Sequence, residues 1–488
     1  MSKVVKGAVL NLAGLGLPMV VAVFTIPYLI QLLGAEKFGL LALMWAVVSY
    51  AGIFDLGLGR ALTLQVARLD AQPAPQELGA VMGTAYALMV GVGVVVGACM
   101  FVLSGEIVGF VKGVTDLQET TAAFQIMAVS VPFIILASGF RGVLEARQAF
   151  GRVNAVRLPL GIYTFIGPVL VCGVFGPRLD LIAAVLALGR LVACIVYWYY
   201  ARAHVAPIEH RSLAWDGRHV KSLCASGGWL SVASVVGPIM AYADRFVLGA
   251  LVSANAVAFY VTPNELVTKL WILPGALTAV LFPMFSGGLS CSAASRNGTV
   301  KLFDLSSAAI FIVIAPLSLT LATFSYDLLD FWVGVEFARE GQELLVIFAF
   351  AILINCMAHV PLTLLQGAGN ARAVALLQVL EVPVFLLLLW GLTLKFGVVG
   401  AAWVWVARAV FDTGILLYLA CEKLNVSFIK RVALLTASVL LVLGVYSVIK
   451  EWELYARLML TGLVGAVFVA AIILMMVRSL KLKAKTEA

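Results

Sequence analysis

The chain has 488 residues, of which 63% are hydrophobic and only 12% charged, and its formal net charge is +8. A soluble fold of this length could not cover so much apolar surface. Stretches that are apolar on every side, such as Val92–Val96 and Phe385–Trp390, exclude the alternating strands of a membrane β-barrel.

A bilayer core of about 30 Å takes about 20 apolar residues per helix, and about fourteen such stretches follow one another here. The first six fall at about 8–34, 38–64, 78–104, 118–144, 153–175 and 179–203. The third holds Gly91-Val92-Gly93 with Gly97. Lying mid-helix with no preceding strand, these glycines suit close helix packing and not a dinucleotide site. A charged connection follows. Six more spans occupy about 222–252, 256–286, 300–325, 342–366, 373–396 and 398–421. A last pair lies at about 428–449 and 453–478. The connections are too short to house a catalytic domain, and the first apolar run is too long for a cleavable signal peptide.

A weak internal repeat groups these spans. Gln148-Ala149-Phe150-Gly151 matches Gln366-Gly367-Ala368-Gly369, and the same offset takes Arg190 to Arg408 and Tyr200 to Tyr418. An even number of helices per copy makes the copies parallel, related by an axis along the membrane normal. The expected organisation is a six-helix lobe at 1–204 and an inter-lobe loop at 205–221. A second six-helix lobe follows at 222–422, then a terminal helix pair with a basic tail at 423–488. The fold class is therefore an all-α polytopic membrane protein with two pseudo-symmetric lobes.

Cations crowd alternate loops, including Arg68, Arg141, Arg147, Arg152, Arg157, Arg218 and Lys423. The opposite loops carry acids such as Asp327, Asp330, Glu336 and Glu340. This bias places both termini in the cytoplasm. The basic balance is thus an orientation signal and not a nucleic-acid footprint. The seven cysteines are scattered singly, without metal-ligand or disulfide spacing. The four histidines form no metal or catalytic motif, so no cofactor is expected.

Charges at membrane depth cost roughly 2.5–3.5 kcal/mol each on insertion scales, so each needs a partner or a purpose. Asp55 has no basic neighbour at helical spacing and must find its partner on another helix or in water. Arg60 lies nearer the cytoplasmic end and can snorkel. Asp244 and Arg245 are adjacent, hence about 100° apart on their helix, and cannot fully neutralise each other. Glu265 and Lys269 are four apart in the favourable order for an internal pair. Glu381 precedes Pro383 as another carboxylate with no evident partner at helical spacing, with core and coupling roles both open. Arg190 and Arg408 are expected to hold backbone carbonyls within their lobes. Arg141, Glu145 and Arg147 form a solvated interface or a headgroup-capture site.

The opening Asn11, Pro18 and Pro27, then Leu33-Gly34, Phe38-Gly39 and Asp55-Leu56-Gly57-Leu58-Gly59, resembles the start of bacterial polysaccharide-biosynthesis flippases of the Wzx type. Tyr242-Ala243-Asp244-Arg245-Phe246-Val247-Leu248-Gly249 followed by Ala258-Phe259-Tyr260 resembles their seventh and eighth helices. Those flippases share a superfamily with the MATE exporters and the lipid II flippase. The resemblance implies a central cavity that opens alternately to each side of the bacterial inner membrane. It implies as cargo a polyprenyl-diphosphate-linked oligosaccharide, moved from the cytoplasmic to the periplasmic leaflet. A diphosphate in such a cavity would be met by Arg245, Lys269 and Arg60, through charge-assisted hydrogen bonds. Asp55, Asp244, Glu265 and Glu381 would balance those cations or couple transport to H+ or Na+. Other implied partners are membrane lipids and a polysaccharide polymerase or export machinery. The competing readings are a MATE-type cation or drug antiporter, which calls for an acidic cavity, and an integral-membrane glycan polymerase, which needs a large external loop.

Overall fold

A computed structural model describes residues 3–51, 55, 57–71, 75–205, 215–288, 293–465 and 467–468. All regular structure among them is helical. Most of the expected inter-lobe loop and most of the basic tail lie outside the described residues.

The chain forms two compact units, Met1–Val261 with Gln378–Gly397, and Thr262–Leu377 with Val398–Ala488. The first unit opens with α1 (Lys3–Ala51), which bends at Gly34, where φ is +74°. That backbone conformation favours glycine, and it divides α1 into the first expected span and the start of the second. The second span is not one helix. α1 ends at Ala51 and α2 (Leu58–Ala71) begins after a break in which Asp55 and Gly57 sit in turns. Then come α3 (Pro75–Phe110), α4 (Leu117–Ala146), α5 (Phe150–Phe175), α6 (Leu179–Val205) and α7 (Arg218–Leu251). Asp116 caps α4 by accepting the Glu119 amide at 2.9 Å, which satisfies one orphan donor of the first turn.

Small residues set the helix spacing in this unit. A methyl group on Gly93 would come within 2.7 Å of the Pro132 backbone, and one on Gly97 within 2.9 Å of the Ala128 carbonyl. The glycines of α3 therefore let α4 lie against it, as their spacing suggested, although Gly91 meets nothing within 4 Å. One buried cluster joins Leu62, Val66, Met82, Met89, Val131 and Leu223 from α2, α3, α4 and α7. Another joins Phe140, Leu144, Val153, Val156, Ala193 and Tyr197 from α4, α5 and α6.

Helix α8 (Ala254–Thr268) passes from the first unit into the second and tightens into a single 3₁₀ turn at Lys269–Trp271 before α9 (Ile272–Gly288). Within the second unit, Trp271 Nε1 donates to Asn355 Oδ1 at 2.9 Å. The second unit continues with α10 (Ala293–Thr323), α11 (Ser325–Val333), α12 (Val335–Met357) and α13 (His359–Gly367). Helix α14 (Ala371–Leu424) bends at Gly397, where φ is +59°, and so supplies two crossing segments. Helices α15 (Phe428–Ile449) and α16 (Leu454–Gly465) complete the described chain. The span over α12 and α13 is the most enclosed, with 78% of its apolar window buried. Ten described stretches are long and apolar enough to cross a membrane. Two of these bend at Gly34 and Gly397, and α7 and the short α16 lie outside the ten, a set of helices consistent with about fourteen spans. The protein is a multi-pass all-α membrane protein.

Candidate functional site

The charged residues singled out by sequence take up three arrangements. The first is at the break between α1 and α2. Asp55 is 8% exposed. Its Oδ1 accepts the Gly57 amide at 2.6 Å and its Oδ2 accepts the Ser138 hydroxyl, from α4, at 2.8 Å. An Asp that bonds the amide two residues on forms an Asx turn, so the carboxylate helps start α2 while fastening it to α4. Among the described residues Asp55 has no cationic partner. Arg60, in the first turn of α2, is exposed and does not pair with it.

The second arrangement joins α7 to the start of α8, all within the first unit. Asp244 and Arg245 are each 5% exposed. Asp244 Oδ1 accepts the Arg245 backbone amide at 2.8 Å, and Asp244 Oδ2 accepts the Tyr260 hydroxyl at 2.8 Å. The Arg245 guanidinium lies over the Tyr242 ring, 4.9 Å from its centroid, a cation–π geometry that gains strength where water is excluded. Tyr260 is only 1% exposed. Asp55 and Asp244 thus share one scheme, a backbone amide on one carboxylate oxygen and a hydroxyl from a neighbouring helix on the other.

Backbone approach holds the α7–α8 corner in place. A methyl group on Gly39, in the second half of α1, would overlap the Ala254 carbonyl and stand 3.3 Å from the Ala258 amide nitrogen. On the α3–α4 connection, Lys112 accepts the Ala254 amide at 3.0 Å, and its own amide donates to Gly249 at 2.9 Å. Its Nζ donates to the Leu251 carbonyl at 3.0 Å. Nearby turns are tied likewise. Lys37 Nζ reaches Glu119 Oε2 at 2.7 Å and the Pro177 carbonyl at 2.6 Å, while Glu36 Oε1 accepts the Thr115 amide at 2.7 Å.

The third arrangement is the Glu265–Lys269 pair in the second unit, with Nζ 2.6 Å from Oε2 and both side chains about a quarter exposed. It is the internal pair that the spacing of four implied. It straddles the passage from α8 into the 3₁₀ turn, where the helix changes pitch. Glu381, on the first half of α14, is 6% exposed.

The remaining cations take structural positions. Arg190 reaches the Thr164 hydroxyl on α5 at 3.5 Å, a side-chain partner where a backbone carbonyl was expected. At the junction of α4 and α5, Glu145 lies 3.6 Å from Arg141 and 3.8 Å from Arg157. Among the described residues, no group of three or more His, Cys, Asp or Glu is placed to hold a metal ion.

Sequence reasoning did not anticipate Ser138 or Tyr260 as partners of the two aspartates. For Tyr260 a signal existed, since Asp244 and Tyr260 are equidistant from Val252, the residue that ends α7. For Ser138 no local spacing encodes the contact.

Residues 4–288 match the family described as "Polysaccharide biosynthesis protein". The chain belongs to that family. A Shigella flexneri protein named for O-antigen transport is 28% identical over 425 residues, covering 87% of this chain and 99% of the relative. The lipopolysaccharide biosynthesis protein WzxC of Escherichia coli is 24% identical over 268 residues, covering 53% of this chain and 49% of the relative. Among solved structures, the lipid II flippase MurJ in an inward closed conformation matches with a TM-score of 0.68 at 13% identity, covering 95% of this chain and 98% of that one. Membership in the family makes this chain a membrane transport protein of polysaccharide biosynthesis and not an enzyme.

Proposed function

We propose that this protein carries polyprenyl-diphosphate-linked oligosaccharide from the cytoplasmic to the periplasmic leaflet of the bacterial inner membrane. Both termini are cytoplasmic, on the strength of the cation bias in alternate loops. Two six-helix lobes, 1–204 and 222–422, rock about the membrane plane and expose the cargo's head to each side in turn. The observation that carries this reading is a family match reaching from residue 4 to residue 288, across the α7 segment that holds Arg245. Likeness to proteins named for O-antigen transport and lipopolysaccharide biosynthesis supplies the substrate class.

Arg245 and Lys269, with Arg60, are the residues assigned to the diphosphate. Arg245 is buried at membrane depth in α7, where a guanidinium presents several donors in a fixed fork to phosphate oxygens. Lys269 is shared with Glu265 at rest, and a diphosphate would compete for its ammonium. Asp55, Asp244, Glu265 and Glu381 balance these cations or bind H+ or Na+ during the cycle. Outward movement of two negative charges gains about 4–5 kcal/mol per 100 mV of inside-negative potential, so the direction needs no ATP. The polymerase and export machinery would take the product from the outer leaflet.

The test is flipping of a labelled polyprenyl-diphosphate glycan in proteoliposomes. Arg245→Gln and Lys269→Gln should each lower the rate at least ten-fold with the protein still folded. Wild-type rates in both variants would remove these residues from the transport path. A MATE-type cation antiporter is the second reading, favoured by Asp55, a buried acid whose described partners are all neutral. Efflux of a fluorescent organic cation that survives Arg245→Gln and fails in Asp55→Asn would establish it instead.

A further inference from the structure

A cavity of about 470 Å³ lies wholly inside the second unit, between α10, the second half of α14 and α15. Its walls are mainly apolar, formed by Phe303, Phe311, Ile312, Leu417, Leu434 and Leu435. That volume falls within the range of about 300–1,000 Å³ found for sites that take small molecules. Two of its hydroxyls are already engaged. Ser438 Oγ donates to the Leu434 carbonyl at 2.8 Å, and Thr413 Oγ1 donates to the Ile354 carbonyl at 3.0 Å. A mainly apolar space, with Ser307 as its one further hydroxyl, holds water poorly. Leu434 lines the cavity yet is 69% exposed, so the space opens sideways onto the surface that α15 presents to lipid.

One end of the cavity is charged. Lys430, Arg431 and Asp304 stand there. Arg431 is committed: Nε and Nη2 hold Asp304 at 2.9 and 2.8 Å, and Nη1 donates to the Ser427 carbonyl at 3.3 Å. Lys430 is exposed and makes no ion pair with any described residue, so the mouth carries one net positive charge. From Lys430 to Ser438 the cavity follows α15 for about 12 Å at 1.5 Å per residue. That is less than half of a hydrocarbon core of about 30 Å. The space therefore spans part of one leaflet, with its cation at the level of the headgroups.

We propose that this cavity is a binding site for an anionic phospholipid, one acyl chain lying between α10 and α15 and the phosphate resting on Lys430. Opening to hydrocarbon, the cavity is filled by a chain from the bilayer. The lone lysine at its mouth selects a negative headgroup over a zwitterionic one. The short depth suits an acyl chain confined to one leaflet better than a polyprenyl chain, which would overrun it. The bound lipid would wedge α15 against the second half of α14.

The experiment uses the full-length protein, purified in detergent and delipidated, with phosphatidylglycerol and phosphatidylcholine of matched chains as probes. Binding is read by native mass spectrometry and by the shift in melting temperature. Phosphatidylglycerol should bind at least ten-fold more tightly than phosphatidylcholine. Lys430→Glu should abolish that preference, and Ala308→Phe, which fills the cavity, should weaken both lipids. Equal binding of the two lipids, or a preference that survives Lys430→Glu, would overturn the proposal. Displacement of phosphatidylglycerol by an equimolar polyprenyl diphosphate would also overturn it and assign the cavity to the transported lipid.

Discussion

Asp55 and Asp244 are held by contacts of a different kind from the one seen at Glu265. The two aspartates are buried, and each receives a backbone amide and a hydroxyl across a helix boundary. Glu265 is half-buried and takes an ammonium from its own helix. A hydroxyl clasp joins two helices and fixes their register. An i,i+4 pair reports only that one helix is intact. The aspartates therefore act on the relation between helices, whereas the Glu265–Lys269 pair lies along one stretch of chain.

Removing the donors should separate these roles. Tyr260→Phe strips a fully buried hydrogen bond to a charged acceptor, worth roughly 1.5–3 kcal/mol. It should give the largest fall in melting temperature of the purified protein, and combination with Asp244→Asn should be less than additive. Ser138→Ala should cost about 1 kcal/mol. The Ser138 hydroxyl has one proton within reach of both Asp55 Oδ2 and the Ile135 carbonyl, so less depends on it. Lys269→Met should cost less than Tyr260→Phe, because both members of the Glu265–Lys269 pair keep partial exposure, whereas Tyr260 is buried. A destabilisation by Lys269→Met as large as that of Tyr260→Phe would erase the distinction.

The smallest expected effect concerns a pair in water. A side-chain hydrogen bond from Arg218 holds the Asp216 carboxyl down at about 2. Its contribution is therefore complete above the ordinary carboxylate range and fades as pH falls toward 2. Arg218→Ala should be slightly less stable than wild type at pH 6, with the gap closing on acidification. A gap that widens at low pH would show that Arg218 acts through another group. Asp216 is also held by Thr84, whose hydroxyl receives the Asp216 amide at 3.0 Å, so the ion pair can be lost without freeing that residue.

Much of the architecture was legible because lipid imposes one dominant signal, sustained apolar length. The crossing segments, the close packing at Gly93 and Gly97, and the Glu265–Lys269 pair all follow from local spacing. The turns at Asp55 and Gly57 were hidden, because the flanking sequence is as apolar as a continuous helix would be. The Asp55–Ser138 contact joins residues 83 apart in sequence and depends on how α2 and α4 are rotated, which hydropathy does not encode. Arg245 was singled out for its charge and is buried, but the aromatic face of Tyr242 that receives it was read only as part of a motif. The expectation that Arg190 holds a backbone carbonyl failed for a similar reason, since Thr164 on α5 offers a hydroxyl at that level.

The elbow at Gly34 joins two membrane-crossing segments through a single non-helical residue. There is no slack in the polypeptide at that point for a protease to grip or for an inserted tag to extrude. Any reporter used to map which face of the bilayer this corner occupies would have to be a small chemical label on a neighbouring side chain, since an inserted epitope would pull the two segments apart.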